Sequence, residues 1–309
     1  MSVDLPRFGV LDIAYVVGEE VIEVGAHSPD FEKAVSKTGI PRVYQTAKDS
    51  YELSRLALTE LMSRHPGLGD NRAVLVHVSQ SNAEYLPAYS CRLQSDCGLA
   101  EETLAFDIGQ GCSGFVQGLY LASRLLVDVE NVILVCCDTY RAKLDVNDRS
   151  TSTIFSDAAT ATLITRGGEL RIASSTHVTD GSGAKFLYHS RDEGRNGGHL
   201  YMAGGDVLVF TKRAVFRQAE ETLRRAGMNM SDVGNVYVHQ ASKLVLDELE
   251  RRFGDQVNFP RNIEEFGNTV SSSIPLLIRD RLVELNGSTS IMCGFGVGLS
   301  SSCIVLTNQ

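Results

Sequence analysis

The stretch TLAFDIGQGCSGFVQGL, residues 103–119, runs from a strand-like segment through a glycine-rich turn into a helix. The apolar run up to Ile108 reads as a strand. Gly109, Gly111 and Gly114 permit a tight turn and close approach of another backbone. Apolar residues at helical spacing follow over 113–128. Cys112 therefore stands between a strand end and a helix start. A thiol there faces unpaired amide donors and the positive end of a helix dipole, and both favour the thiolate. Taken alone, Cys112 is either a nucleophile or one more small buried side chain.

Working outward, the same alternation continues on both sides. Buried-strand runs lie at 73–79 (AVLVHVS), 131–138 (NVILVCCD) and 154–165 (IFSDAATATLIT), with a helical pattern at 51–65. Beyond residue 166 the pattern restarts. A strand-like run ELRIASSTHV is followed by a long helix over 206–227, closed by Gly227. A strand over 233–240 and a helix over 241–254 come next. One helix is expected over 271–285, with Pro275 in its first turn, and the chain closes with two strands. The fold class is α/β, in two halves of similar element order, 1–166 and 167–309.

The 309 residues carry a net charge of −9, which argues against broad nucleic-acid binding. No run approaches the 18 or so apolar residues of a membrane-spanning helix. The opening segment lacks the basic region and cleavage site of a signal peptide and reads as a first strand. Seven cysteines, an odd number with several inside apolar runs, fit reduced thiols in a cytoplasmic protein. Neither they nor the seven histidines show metal-ligand spacing, so no metal is expected.

Three further segments carry chemistry-bearing residues. His239 ends an apolar strand in VYVHQAS, a place where a satisfied structural histidine is common. Asn268, in EEFGNTVSSSIP, has the context of a cap or turn. The connection CGFGVGLSSS (293–302) suggests tight backbone packing. In this order, with the Cys112 segment, they resemble the β-ketoacyl-acyl-carrier-protein synthase III family of the thiolase superfamily. Further similarity runs through SKTGI (36–40), LPAYSCRLQ (86–94), FSDAATATLI (155–164) and MAGGDV (202–207), nearly the whole chain in colinear order.

The resemblance implies a five-layered αβαβα fold, with the nucleophile in the first half and a histidine and asparagine in the second. It implies a catalytic Cys112, His239 and Asn268, and a backbone oxyanion hole from Cys112 and Val297. Leu86, Phe155 and Phe295 would line the substrate tunnel, and Lys37 and Arg149 the coenzyme A or pantetheine region. Lys212, Arg213, Arg217, Lys243, Arg251 and Arg252 would dock an acyl carrier protein. The implied reaction is acyl transfer from a thioester donor to the cysteine, then decarboxylative condensation with a malonyl thioester. It belongs to fatty-acid or polyketide-like biosynthesis, in a homodimer with no cofactor. Alternatives on the same fold are acyl transfer to a hydroxyl or amine, and a silent partner subunit. The chain departs from the family where a tryptophan commonly stacks on adenine: it has no tryptophan, and Lys33 falls there. Cys293 lies two residues before the position, held by Phe295, where thiolases place a second catalytic cysteine.

Overall fold

A computed structural model describes residues 5–27, 29–69, 72–190 and 192–308. The first half contains β1 (Phe8–Val17), β2 (Glu20–Glu23), α1 (Pro29–Thr38), β3 (Arg42–Gln45), α2 (Ser50–Arg64), β4 (Ala73–Val78) and α3 (Tyr89–Asp96). It continues with β5 (Leu104–Ile108), α4 (Gly114–Leu125), β6 (Asn131–Asp138), α5 (Arg149–Ser152) and β7 (Ala158–Arg166). The second half begins with β8 (Arg171–Thr179), β9 (Leu187–His189), β10 (Leu200–Met202), α6 (Gly204–Arg225), β11 (Asn235–Val238) and α7 (Lys243–Phe253). It ends with α8 (Ile263–Phe266), α9 (Ser273–Ile278), α10 (Leu282–Gly287), β12 (Ser290–Gly296) and β13 (Ser300–Thr307).

Two mixed sheets organise these elements. The first has the order β1-β7-β6-β4-β5 and the second β11-β12-β13-β8. The continuous apolar runs of β4 and β6 follow from burial on both faces. Val132, Leu134 and Cys136 point into the central layer, while Ile133, Val135 and Cys137 point to the outer helix α2. In the second sheet Met292 faces the centre, and Ile291, Cys293 and Phe295 face α6 and α7. Helix α4 packs between the sheets, touching β4 and β6 on one side and β8, β12 and β13 on the other. The layers are thus helix, sheet, helix, sheet, helix.

Most of the expected elements are present, with local differences. The expected strand over 154–165 starts only at Ala158, because Phe155 bridges to Asn268 and Asp157 caps the backbone amides of Thr46 and Arg141. The expected helix over 271–285 is broken. Ser271 and Ser272 spend their hydroxyls on Asp138 and on the Cys136 carbonyl, which competes with a regular helix start. After α9 the chain turns at Arg279, whose guanidinium stacks on the rings of Tyr15 and Phe266. Helix α6 ends as its glycine suggests: Gly227 has φ +70°, and the Met228 amide reaches back to the Leu223 carbonyl. The β9–β10 hairpin and the short α1 and α3 helices have no strong periodicity and were not expected.

Candidate active site

Cys112 sits in the turn between β5 and α4, with its thiol buried. The approach of β12 makes this possible. At Gly296 an added Cβ would lie 2.8 Å from the Cys112 Cβ and 3.0 Å from its sulfur. The backbone amides of Cys112 and Val297 both donate towards that sulfur. A buried hydroxyl pair ties the two segments together: Ser113 Oγ lies 2.8 Å from Ser300 Oγ, which donates to the Val297 carbonyl at 2.7 Å.

Burial works against the thiolate that the turn and the helix start favour. Burial pushes the Cys112 thiol up to about 12, and the Asp138 carboxylate adds to the rise. The two amides oppose this and lose, because desolvation of a buried charge outweighs two neutral dipoles. His239, just beyond the end of β11, is held down to about 3 by burial. The pair is therefore thiol and neutral imidazole.

His239 Nδ1 lies 2.6 Å from Ser273 Oγ on α9. A Ser273 hydroxyl donating to Nδ1 leaves the ring proton on Nε2. The ring stands edge-on to Phe295 with centroids 5.5 Å apart. Asn268 is clamped by backbone bonds to both sides of Phe155: its amide donates to the Ile154 carbonyl, and its carbonyl accepts from Ser156. Its side-chain oxygen accepts from the Val270 amide at 3.0 Å, which fixes Nδ2 as the opposite end of the amide. Val270 pays for this with φ +53°, costly for a β-branched residue.

Cys112, His239 and Asn268 line one cavity of about 400 Å³, together with Phe155, Phe295, Lys37 and Arg149. No aspartate or glutamate lines it among the described residues. A second cavity of about 310 Å³ meets it at Cys112, Phe155 and Leu187. Other expected site residues have different surroundings. Leu86 lines neither cavity and is 84% exposed, so within one chain it is no tunnel residue. Arg213 and Arg217 line a different groove, beside Asp180 and Glu221, because they lie on another face of α6 from Leu208 and Thr211 at the cavity. Lys212, Arg251 and Arg252 share the single carboxylate of Glu248, and Lys243 pairs with Asp247, so part of their charge is met within the fold. Cys293 is sealed away, its sulfur 2.9 Å from that of Cys303, and lines neither cavity.

The sequence reading missed Tyr140, Leu200, Ser273 and Gln80. Tyr140 and Gln80 follow the C-terminal ends of β6 and β4, the edge of an α/β sheet where ligands gather. That rule was the available signal for them.

A family model described as 3-oxoacyl-[acyl-carrier-protein] synthase III matches residues 106–194, and its C-terminal counterpart matches residues 223–308. The β-ketoacyl-[acyl-carrier-protein] synthase III of Streptococcus pneumoniae is 27% identical over 289 residues, covering 88% of this chain and 89% of its own. A crystal structure of a 3-oxoacyl-(acyl-carrier-protein) synthase III superposes with a TM-score of 0.88 at 32% identity, covering 97% of this chain and 99% of that one. The Burkholderia xenovorans 3-oxoacyl-(acyl-carrier protein) synthase gives 0.86 at 29% identity, covering 98% and 94%. A priming β-ketosynthase from a polyketide pathway gives 0.86 at 25% identity, covering 99% and 98%. With its fold, its segment order and these matches in agreement, the chain belongs to the 3-oxoacyl-[acyl-carrier-protein] synthase III family of thiolase-fold condensing enzymes.

Proposed function

We propose that this enzyme joins an acyl group to a malonyl unit by decarboxylative condensation, with Cys112 as the acyl carrier. The observation that carries the reading is the meeting of Cys112, His239 and Asn268 in one cavity, with two backbone amides aimed at the sulfur. In the first half-reaction the sulfur attacks a thioester carbonyl. The new S–C bond replaces the donor's, and the thiol proton leaves with the donor thiol. The amides of Cys112 and Val297 hold the oxyanion.

A malonyl thioester then binds on an acyl carrier protein and loses carbon dioxide. Nε2 of His239 and Nδ2 of Asn268 donate to the enolate oxygen. The carbanion attacks the acyl-cysteine, and collapse expels the Cys112 sulfur, which takes up one proton. Decarboxylation suits this cavity because it requires no base. The neutral histidine is a weak one, and among the described residues no carboxylate lines the cavity. The scheme uses no metal or redox cofactor. Lys37 and Arg149 supply positive charge for a phosphate on the arm of the incoming thioester.

Lys243, next to half-exposed Leu244 at the cavity, belongs to the carrier-docking surface, with Lys212, Arg251 and Arg252 contributing through their shared Glu248 cluster. The working unit is a homodimer. Strand β5 is an open edge of the first sheet among the described residues, Leu104 on it is exposed, and so are Tyr85 and Leu86 ahead of α3.

The test supplies acyl thioesters and carboxyl-labelled malonyl-carrier protein to the purified chain. Release of labelled carbon dioxide with a 3-ketoacyl-carrier product is expected. An acyl ester or amide formed without carbon dioxide would replace this reading with simple acyl transfer.

A further inference from the structure

Asp138 is a buried carboxylate that the proposed chemistry does not use. It ends β6 and is fully buried, a place where an aspartate is costly unless its charge is met. Burial pushes its carboxyl up to about 6, while bonds from Ser271 and Gln80 and the charge of Lys143 pull the other way. It is therefore an anion at neutral pH. Its shell consists of donors. Oδ1 accepts from the Gln80 amide at 3.0 Å. Oδ2 accepts from the Ser271 amide at 3.3 Å and from the Ser271 hydroxyl at 2.6 Å. Two of these three are backbone N–H groups, which donate and cannot accept. A carboxylate fits that shell, whereas a protonated acid or a neutral amide sets a donor against one of them.

The anchor matters because of where Ser271 stands. It follows Asn268 by three residues, and between them Val270 is held at φ +53°. A β-branched residue keeps that conformation only while both of its flanks are fixed. On one flank the Asn268 amide donates to the Ile154 carbonyl, and the Ser156 amide donates to the Asn268 carbonyl. On the other, Asp138 holds Ser271, and the Ser272 hydroxyl donates to the Cys136 carbonyl at 2.9 Å. The Val270 amide in turn donates to Asn268 Oδ1 at 3.0 Å, which fixes the side-chain amide that lines the larger cavity.

We infer that Asp138 is a positioning residue for condensation: its carboxylate clamps Ser271 and so holds the Asn268 amide where it meets the enolate oxygen. The inference rests on the proposed role of Asn268 in that step. Without the clamp Val270 relaxes, its amide leaves Asn268 Oδ1, and the Asn268 side chain turns. Acylation of Cys112 makes no use of Asn268 and continues.

Asp138→Asn is the targeted variant. Its Oδ1 still accepts from the Gln80 amide and its Nδ2 donates to the Ser271 hydroxyl, but the Ser271 amide is left facing an N–H group. Labelled acetyl or butyryl groups are loaded onto Cys112 from coenzyme A or carrier-protein thioesters, and unlabelled malonyl-carrier protein is then added. In a single turnover, transfer of the label to the 3-ketoacyl product is expected to slow about 10–100-fold, as for a misplaced reacting group. Loading of Cys112 should not fall. The deciding measurement repeats the substitution in Asn268→Ala. There it should slow transfer by less than about twofold, because the group it positions is gone. A merely structural role would give the same loss in both backgrounds. Ser271→Ala removes only the hydroxyl bond; it runs the same cycle with a smaller loss and stands in if a melting curve shows Asp138→Asn unfolded. Transfer at the wild-type rate in the folded variant, an undiminished loss on top of Asn268→Ala, or loading slowed as much as transfer would overturn the inference and leave the proposed function standing. No 3-ketoacyl product from the wild-type enzyme would overturn both.

Discussion

Burial decides the charge on Cys112. The helix start and the two amides are legible in the sequence, and they favour the thiolate. The desolvation that opposes them comes from the packing of β12 against the turn, and the Asp138 charge adds to it; only the assembled fold brings these together. A raised thiol value means that the neutral form holds throughout the physiological range. Alkylation of Cys112 by iodoacetamide should therefore rise about tenfold per pH unit between 7 and 10. A plateau with a midpoint below pH 8 would instead reveal a thiolate–imidazolium pair. The partners divide by step. His239→Ala and Asn268→Ala should each slow condensation by about 10²–10³, the usual effect of removing one oxyanion donor. Both should still accumulate acyl-Cys112, seen by intact mass. Loss of acylation with malonyl decarboxylation retained would reverse these roles.

At the scale of elements, the glycine-rich end of β12 and its connection to β13 set the position of Cys112. Gly296→Ala would press a methyl against the Cys112 side chain. Acylation is expected to fall at least about 100-fold, with destabilisation of about 1–3 kcal/mol from overpacking. Gly287→Ala, where a Cβ meets nothing within 4 Å, is the control and should leave acylation unchanged. An active Gly296→Ala enzyme would show that the loop moves freely away from the sulfur. Strands β4 and β6 were readable because burial on both faces writes a continuous apolar run. The break between α9 and α10 was not, since it depends on Arg279 meeting Tyr15 and Phe266 from distant parts of the chain. Tyr140 and Gln80 escaped notice for a similar reason. Each stands just past a readable strand, but their shared cavity forms only when β4, β6 and the Val297 loop converge.

For the whole molecule, colinear order carried the reading further than any single motif. Cys112, His239 and Asn268 each have an ordinary structural interpretation alone, and their meeting required both halves of the chain. Leu86 marks the limit: its place in the sequence suggested a tunnel wall, while the fold turns it outward. Such exposure fits a surface covered by a second copy. Sedimentation should accordingly report a dimer at micromolar concentration, and Leu104→Arg on the open β5 edge should shift it towards monomer. A wild-type monomer at every concentration tested would remove the proposed assembly. The basic residues of α6 and α7 share their surface with Glu248, Asp247 and Glu221, which offset part of their charge.

The most direct measurement of the central claim is a chase on the acylated enzyme. A labelled acyl group is first loaded, the Cys112 peptide is identified by mass, and unlabelled malonyl-carrier protein is then added. The label should leave Cys112 and appear in a 3-ketoacyl-carrier product, with one carbon dioxide released for each group transferred. Label retained on Cys112, found on another residue, or passed on without carbon dioxide would contradict the account.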